Sequence, residues 1–166
     1  GGTHRLGRNL PVSLEDPSAL VSLAEREQVD WTLVGPEAPL VLGVVDAFRA
    51  RGLAIFGPTQ RAAEIEGSKI YAKELFGANG IPTASFEVFD NSREARAFLR
   101  RSMYPQVIKA DGLAAGKGVI IARGLEEAER AVDEILDGER FGRAGARILI
   151  EAFLEGEEVS AFALCR

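Results

Sequence analysis

Between Gln106 and Ala122 the chain reads Gln-Val-Ile-Lys-Ala-Asp-Gly-Leu-Ala-Ala-Gly-Lys-Gly-Val-Ile-Ile-Ala, a glycine-rich stretch bounded on both sides by β-branched residues. The flanks constrain the fold more than the glycines do. Val107-Ile108 and Val119-Ile120-Ile121 read as strands, so the loop joins strand to strand. A Walker A loop needs four residues between its glycines, then Gly-Lys-Ser/Thr opening a helix. Here three residues separate Gly112 from Gly116, Gly118 takes the Ser/Thr place, and a strand follows. What remains is a hairpin whose Gly112, Gly116 and Gly118 let the backbone approach an anion, with Lys109 and Lys117 supplying compact positive charge. Two readings fit the loop alone: a flap over a polyphosphate, or an ordinary glycine-rich hairpin.

Composition sets outer limits. The 166 residues are enough for one large domain or two small ones. A formal charge of -5, with no basic stripe interleaved with aromatics, gives no reason to expect nucleic acid as a partner. No apolar run approaches membrane-spanning length and no signal peptide is visible, so the expected compartment is the cytoplasm. A single Cys165 and a single His4 leave no Cys/His zinc site, and any metal would be a hard cation on carboxylates and phosphates. Arginine is spread through the chain, whereas the only lysines are Lys69, Lys73, Lys109 and Lys117. With arginine carrying the surface charge, these few lysines are candidates for roles that need an ammonium; a biased genome would thin lysine equally.

The first part of the chain alternates helix and strand. Asp16-Pro17 supplies an N-cap and a proline at the first helical position, and Leu20, Leu23 and Ala24 form one apolar face, predicting a helix over 17–28. Trp31 to Val34 reads as a short buried strand closed by Gly35-Pro36. Leu40 to Ala50 reads as a helix, and Leu53 to Phe56 as a second strand closed by Gly57-Pro58. Strand, helix, strand implies a parallel sheet with a right-handed crossover, the edge of a doubly wound domain whose ligands sit beyond the carboxyl ends of the strands. Gly35 to Leu40 lies at such an end. It is either a plain strand-to-helix turn or, if Glu37 faces a cleft, part of a site. Ser68 reads as the N-cap of a helix running to Gly80, which puts Lys69 in the first turn, where a cation opposes the helix dipole unless an anion lies nearby.

From Thr83 the pattern changes to shorter strands. Ser85 to Phe89 is a strand, and Asn91-Ser-Arg-Glu94 carries the cap and the acid that open a helix. Gln106 to Ala110 and Val119 to Ala122 flank the loop. Leu125, Ala128, Val132, Ile135 and Leu136 mark one face of a further helix. Ile148 to Leu154 is a strand in which Glu151 shares a face with Leu149 and Phe153, and a carboxylate among large apolar groups needs a partner. Glu155 to Glu158 then turns into a final strand from Val159. The chain opens Gly1-Gly2-Thr3 without an initiator Met and ends inside that apolar run, so it is read as a piece of something longer.

Gly-Pro-Glu-Ala-Pro-Leu at 35 to 40, Phe-Gly-Pro-Thr at 56 to 59, Glu-Gly-Ser-Lys at 66 to 69, Gly-Ile-Pro-Thr at 80 to 83, Ile-Lys-Ala-Asp-Gly-Leu-Ala-Ala-Gly-Lys-Gly-Val at 108 to 119 and Ile-Glu-Ala-Phe-Leu-Glu-Gly-Glu-Glu at 150 to 158 resemble, in order, the phosphoribosylamine-glycine ligase family of the ATP-grasp superfamily. The resemblance implies an α/β fold: a partial doubly wound parallel-sheet domain followed by the small α+β lid domain of an ATP-grasp fold. Residues 1–67 would be the later half of the N-terminal domain, 68–85 a hinge and central-domain segment, 86–153 the lid, and 154–166 the start of the central domain.

The implied chemistry is ATP-dependent ligation of glycine to phosphoribosylamine through glycyl phosphate, with Mg²⁺ or Mn²⁺ as the divalent ion. By the same resemblance ATP would meet Lys69, Lys109, Gly112, Gly116, Lys117, Gly118, Glu151, Leu154 and Glu158. Glu151 and the Leu154 backbone would read adenine, and Glu158 the ribose hydroxyls. Gly2, Thr3, Glu37 and Pro39 would face phosphoribosylamine. The metal-binding acids and the glycine-binding groups belong to the part of the family fold that this stretch lacks, so no metal ligand is expected here and the piece alone is expected to be inactive. Ala152 stands where the family pattern has a second acid. No protein partner is implied. Another ATP-grasp carboxylate-amine ligase would share the loop and Glu151 but not the 35–40 turn; a non-catalytic nucleotide-binding module would share everything visible.

Overall fold

A computed structural model describes residues 2–114, 118–138 and 141–163, without the side chain of Arg143. Its contacts divide the chain between Leu75 and Phe76 into two units.

In the first unit a 3-10 turn, Gly2–Arg5, precedes α1, Pro17–Arg26. Asp16 caps α1 as its sequence suggests, its Oδ1 accepting from the Ser18 and Ala19 backbone amides at 3.0 Å each. β1 (Thr32–Leu33) and β2 (Ile55–Phe56) pair in parallel, Thr32 beside Ile55 and Leu33 beside Phe56, as a strand-helix-strand order requires. Between them lie α2, Glu37–Val41, and α3, Val44–Ala50. Val21 and Ala24 of α1 pack on Val44, Val45 and Phe48 of α3, with Val34, Leu40 and Ile55 around them.

Three expectations for this unit are corrected. The helix from Leu40 to Ala50 is two helices, broken at Gly43, whose φ is 84°. Gln60 bridges the break, its amide nitrogen donating to the Val41 carbonyl at 3.1 Å and its backbone N–H to Asp46 Oδ2 at 2.7 Å. The first strand is not buried: Trp31 and Leu33 are 56% and 62% exposed, because the core covers only the face carrying Val34 and Ile55, while Trp31 and Phe56 pack together on the other. A helix is also present where none is predicted, α4 at Gln60–Gly67. Only its Ala63 is buried, so the apolar periodicity that marks a helix is nearly absent, and the Thr59 cap is the signal that remains. α5, Lys69–Ala78, follows, with Ser68 Oγ accepting from the Tyr71 amide at 3.1 Å as a cap should.

The second unit is a four-stranded antiparallel sheet with helices on one face. β3 (Phe86–Phe89), β4 (Gln106–Ala110), β5 (Val119–Ala122) and β6 (Ile148–Ala152) stand in the order β3-β6-β4-β5. α6, Ser92–Leu99, is capped by Asn91, whose Oδ1 accepts from the Glu94 amide at 2.9 Å. α7, Leu125–Val132, runs into a π-helical turn, Asp133–Asp137, that keeps Ile135 in the core. Ala95 and Leu99 of α6 and Ala128, Ala131 and Val132 of α7 pack against Ile108, Ala110, Ala122, Ile148 and Ile150 of the sheet. Tyr104 closes one end, its hydroxyl donating to the Leu99 carbonyl at 3.0 Å; burial, and then the nearby Glu129 charge, push its phenol above the ordinary tyrosine range.

The predicted final strand is absent among the described residues. Residues 153–163 are irregular, and Val159 and Phe162 are 82% and 97% exposed. A strand is made by its neighbour, and none of the described ladders includes this run. Its predicted end at Cys165 lies outside the described residues.

Leu99→Ala should lower unfolding stability by about 2–5 kcal/mol, since it opens a cavity among fully buried side chains. Phe162→Ala should change it by less than about 0.5 kcal/mol. Urea melts of both variants check the contrast; equal losses would mean that the 153–163 run is packed in solution.

Candidate functional site

The site is built on the two central strands of the antiparallel sheet, which carry residues on opposite faces by strict alternation. In the β4/β6 register Ile108 stands beside Ile150, and both point to the helices. The intervening residues, Val107, Lys109, Leu149 and Glu151, therefore belong to the other face. Val107 is opposite Glu151, and Lys109 is opposite Leu149. Lys109 and Glu151 are thus diagonal neighbours, and Lys109 Nζ pairs with Glu151 Oε1. Glu151 is 6% exposed, the one buried charged residue among those described, and it stands between Phe86 of β3 and Val107 of β4. Such a charge is held only by an opposite one in close contact.

Just beyond β4 the chain turns into the glycine-rich stretch. Asp111 is held by Arg147, the residue before β6: its N–H donates to the Arg147 carbonyl at 3.1 Å, and Arg147 Nη2 donates to its Oδ2 at 2.8 Å. Gly112 follows with φ 108°, a conformation that a side chain would strain. Gly118 is required for a different reason. A Cβ there would lie 2.6 Å from the Cβ of Ala114 and 3.1 Å from that of Ala110, while its carbonyl accepts the Ala110 amide at 2.8 Å. The stretch leaves and rejoins the sheet through a narrow base that admits no side chain at Gly118. Gly116 and Lys117, both expected to face phosphate, lie outside the described residues.

The structure brings together only some of the predicted residues. Lys109, Glu151, Gly112 and Gly118 share the second unit. Leu154 and Glu158 follow β6 in the irregular run, Leu154 at 69% exposure. Lys69 opens α5 directly after its cap, in the first unit. Glu37 is the first residue of α2 and is exposed, while Pro39 beside it is buried, so the 35–40 stretch is locally a strand-to-helix turn. Gly2 and Thr3 lie in the N-terminal 3-10 turn, Thr3 Oγ1 donating to Asn9 Oδ1 at 3.1 Å. The Lys109–Glu151 pairing is not legible in the sequence, because strand register is not. Arg147 carries no local signal at all; it is one arginine among many.

Comparison with known proteins covers both units. Residues 1–66 match the N domain of phosphoribosylglycinamide synthetase, and residues 67–166 match its ATP-grasp (A) domain. A phosphoribosylamine–glycine ligase from Ralstonia nicotianae is 54% identical over 165 residues, 99% of this chain and 39% of its own length. One from Salmonella typhimurium is 57% identical over 153 residues, covering 92% of this chain and 36% of that protein. Among solved structures, the phosphoribosylamine–glycine ligase of Thermotoga maritima superposes with a TM-score of 0.73 at 33% identity, over 94% of this chain and 36% of that one. The chain therefore spans little more than a third of these relatives.

Lys109→Met leaves the Glu151 charge buried without this partner and should destabilise by on the order of 2–4 kcal/mol. Lys109→Met combined with Glu151→Leu should recover most of that loss. Thermal melts of the three proteins decide it: a double variant as unstable as Lys109→Met would show that the cost comes from packing and not from charge.

Proposed function

The chain belongs to the phosphoribosylglycinamide synthetase family, and on that premise we propose that the protein joins glycine to 5-phosphoribosylamine at the expense of ATP, giving glycinamide ribonucleotide, ADP and phosphate in purine biosynthesis. The observation that carries this reading is identity of 54% and 57% to phosphoribosylamine–glycine ligases along nearly the whole chain. In the proposed reaction a glycine carboxylate oxygen attacks the γ-phosphorus, ADP leaves, and glycyl phosphate forms. The amine of phosphoribosylamine then attacks the acyl carbon, phosphate leaves, and the nitrogen loses a proton. An acyl phosphate reaches the amine intact only if water is kept away.

The roles of individual residues follow the same proposal. Lys109 and Lys69 would meet the phosphates, as compact cations able to donate to several oxygens. Gly112 and Gly118, with Gly116 and Lys117 between them, would bring backbone N–H groups to the same oxygens. Glu151 orients Lys109 and, with the Leu154 backbone, would face adenine; Glu158 would meet the ribose. Gly2, Thr3, Glu37 and Pro39 would lie on the phosphoribosylamine side. Residues 86–153 would be the small ATP-grasp domain and 154–166 the start of the central one. Mg²⁺ or Mn²⁺ would accompany ATP and neutralise phosphate charge. Among the described residues no group of three or more His, Cys, Asp or Glu side chains could hold a metal ion. Among the described residues no helix is long and apolar enough to cross a membrane. A cytoplasmic setting is proposed together with the substrates.

ADP release by the protein at its natural full length, measured with glycine and freshly generated phosphoribosylamine, tests the reaction. Release that depends on both substrates is expected; release driven by another carboxylic acid and indifferent to glycine would move the protein to a different ATP-grasp activity. Lys109→Ala should weaken MgATP binding by about 1.5–3 kcal/mol, the worth of a charge-assisted hydrogen bond. Isothermal titration reads that loss directly.

A further inference from the structure

Behind the base of the glycine-rich stretch, on the helix side of the sheet, lies the ring of Phe141. Ala110, Ile120 and Ala122 pack on that side, and Gly118, two residues before Ile120 and bonded through its carbonyl to the Ala110 amide, faces the same way. Gly118 has no side chain to give to this core. The space is closed instead by Ala114, Ala110 and Phe141, whose Cε1 lies 3.8 Å from where a Cβ would stand. Phe141 is itself seated from behind. It packs against the core cluster, its carbonyl accepts the Ala144 amide at 3.0 Å, and at the buried Gly145 a Cβ would come within 3.3 Å of the Phe141 Cβ and 2.5 Å of the Ile135 carbonyl oxygen. Lys109 and its ion pair lie on the opposite face.

We propose that Phe141 is a positioning residue for nucleotide binding: by backing Gly118 from the core, it sets where the glycine-rich stretch rejoins β5 and so how the backbone there is offered to phosphate. The proposal rests on the ATP-dependent reading above. A glycine has no side chain with which to fix itself, so the groups packed against it limit its backbone freedom. Order already present in the fold need not be supplied when the ligand binds, and affinity rises accordingly. Phe141 acts from behind the sheet and does not touch the nucleotide. Its loss removes neither a charge nor a hydrogen-bond donor, so the salt dependence of binding, which follows the cations, is unchanged.

The test uses the full-length protein with Phe141→Ala, which removes the ring, and Phe141→Leu, which keeps most of its volume. Leu99→Ala serves as the control, since it opens a cavity in the same core at a residue that is not among those closing on Gly118. Below the melting temperature of each protein, Phe141→Ala should raise the calorimetric Kd for MgATP and the KM for ATP about fivefold, with the KM for glycine within about twofold and the slope of log Kd against log salt unchanged. Phe141→Leu should restore more than half of the lost affinity on a logarithmic scale, and Leu99→Ala should stay within about twofold of the parent in spite of its lower stability. A Kd within twofold of the parent in Phe141→Ala overturns the proposal. So does an equal rise in Phe141→Ala and Leu99→Ala, which is the signature of a core loosened in general. A parent that binds MgATP but releases no ADP with glycine would sink the proposed ligase reaction, while the nucleotide titrations would still decide the role of Phe141.

Discussion

The second unit is organised around one buried charge. Glu151 sits in the middle of a sheet whose neighbouring positions are Val107, Leu149 and Phe86, and its Oε1 meets Lys109 on the adjacent strand. Such a pair adds little to stability against an apolar alternative of the same shape, because the desolvation of two ions offsets their attraction. Its contribution is to register. Slipping β6 by one residue along β4 would turn Glu151 into the helix-packed face among Ile108, Ile148 and Ile150, where no cation of the described core waits for it. The same register places Asp111 beside Arg147 and fixes where the glycine-rich stretch departs. The ion pair and the position of the loop are thus one constraint seen at two places.

The two glycines at the base of the stretch answer different physical demands. Gly112 needs a positive φ, a property of its own backbone. Gly118 needs the absence of a Cβ because Ala110 and Ala114 close on it, and the Ala110 amide bonds its carbonyl. The alanines around it belong to the same arrangement, since larger residues at 110 or 114 would fill the space that Gly118 leaves. This accounts for Ala110, Gly112, Ala114 and Gly118 without appeal to phosphate, and phosphate binding is the use proposed for that geometry.

The architecture was largely legible where local chemistry writes it: the caps at Asp16, Ser68 and Asn91, the alternation in β4 and β6, and the strand flanks that excluded a helix after Gly118. It failed where the outcome depends on distant residues. α4 has too few apolar positions to show a period, the break at Gly43 is held by Gln60 from another helix, and Leu33 is exposed because only one face of its sheet is covered. The run after Glu158 has the composition of a strand and no described partner. For the site, residue types pointed to Lys109, Glu151 and the glycines, and the need of Glu151 for a partner could be stated. Which cation would answer it could not be read, because that is a matter of register between strands some 40 residues apart.

The phosphate contact proposed for Lys109 would give a physical reason for lysine there in a chain that otherwise favours arginine. An ammonium carries three donors around a single centre. One directed at Glu151 leaves two that would serve the proposed phosphate, so the carboxylate fixes the lysine without consuming it. A guanidinium pairing with the same carboxylate would tend to do so bidentately, in plane, turning its fork toward the protein and away from the ligand. Arg147, one rung along the same face, directs its Nη2 at Asp111 Oδ2 at 2.8 Å, a carboxylate contact of the kind a guanidinium makes.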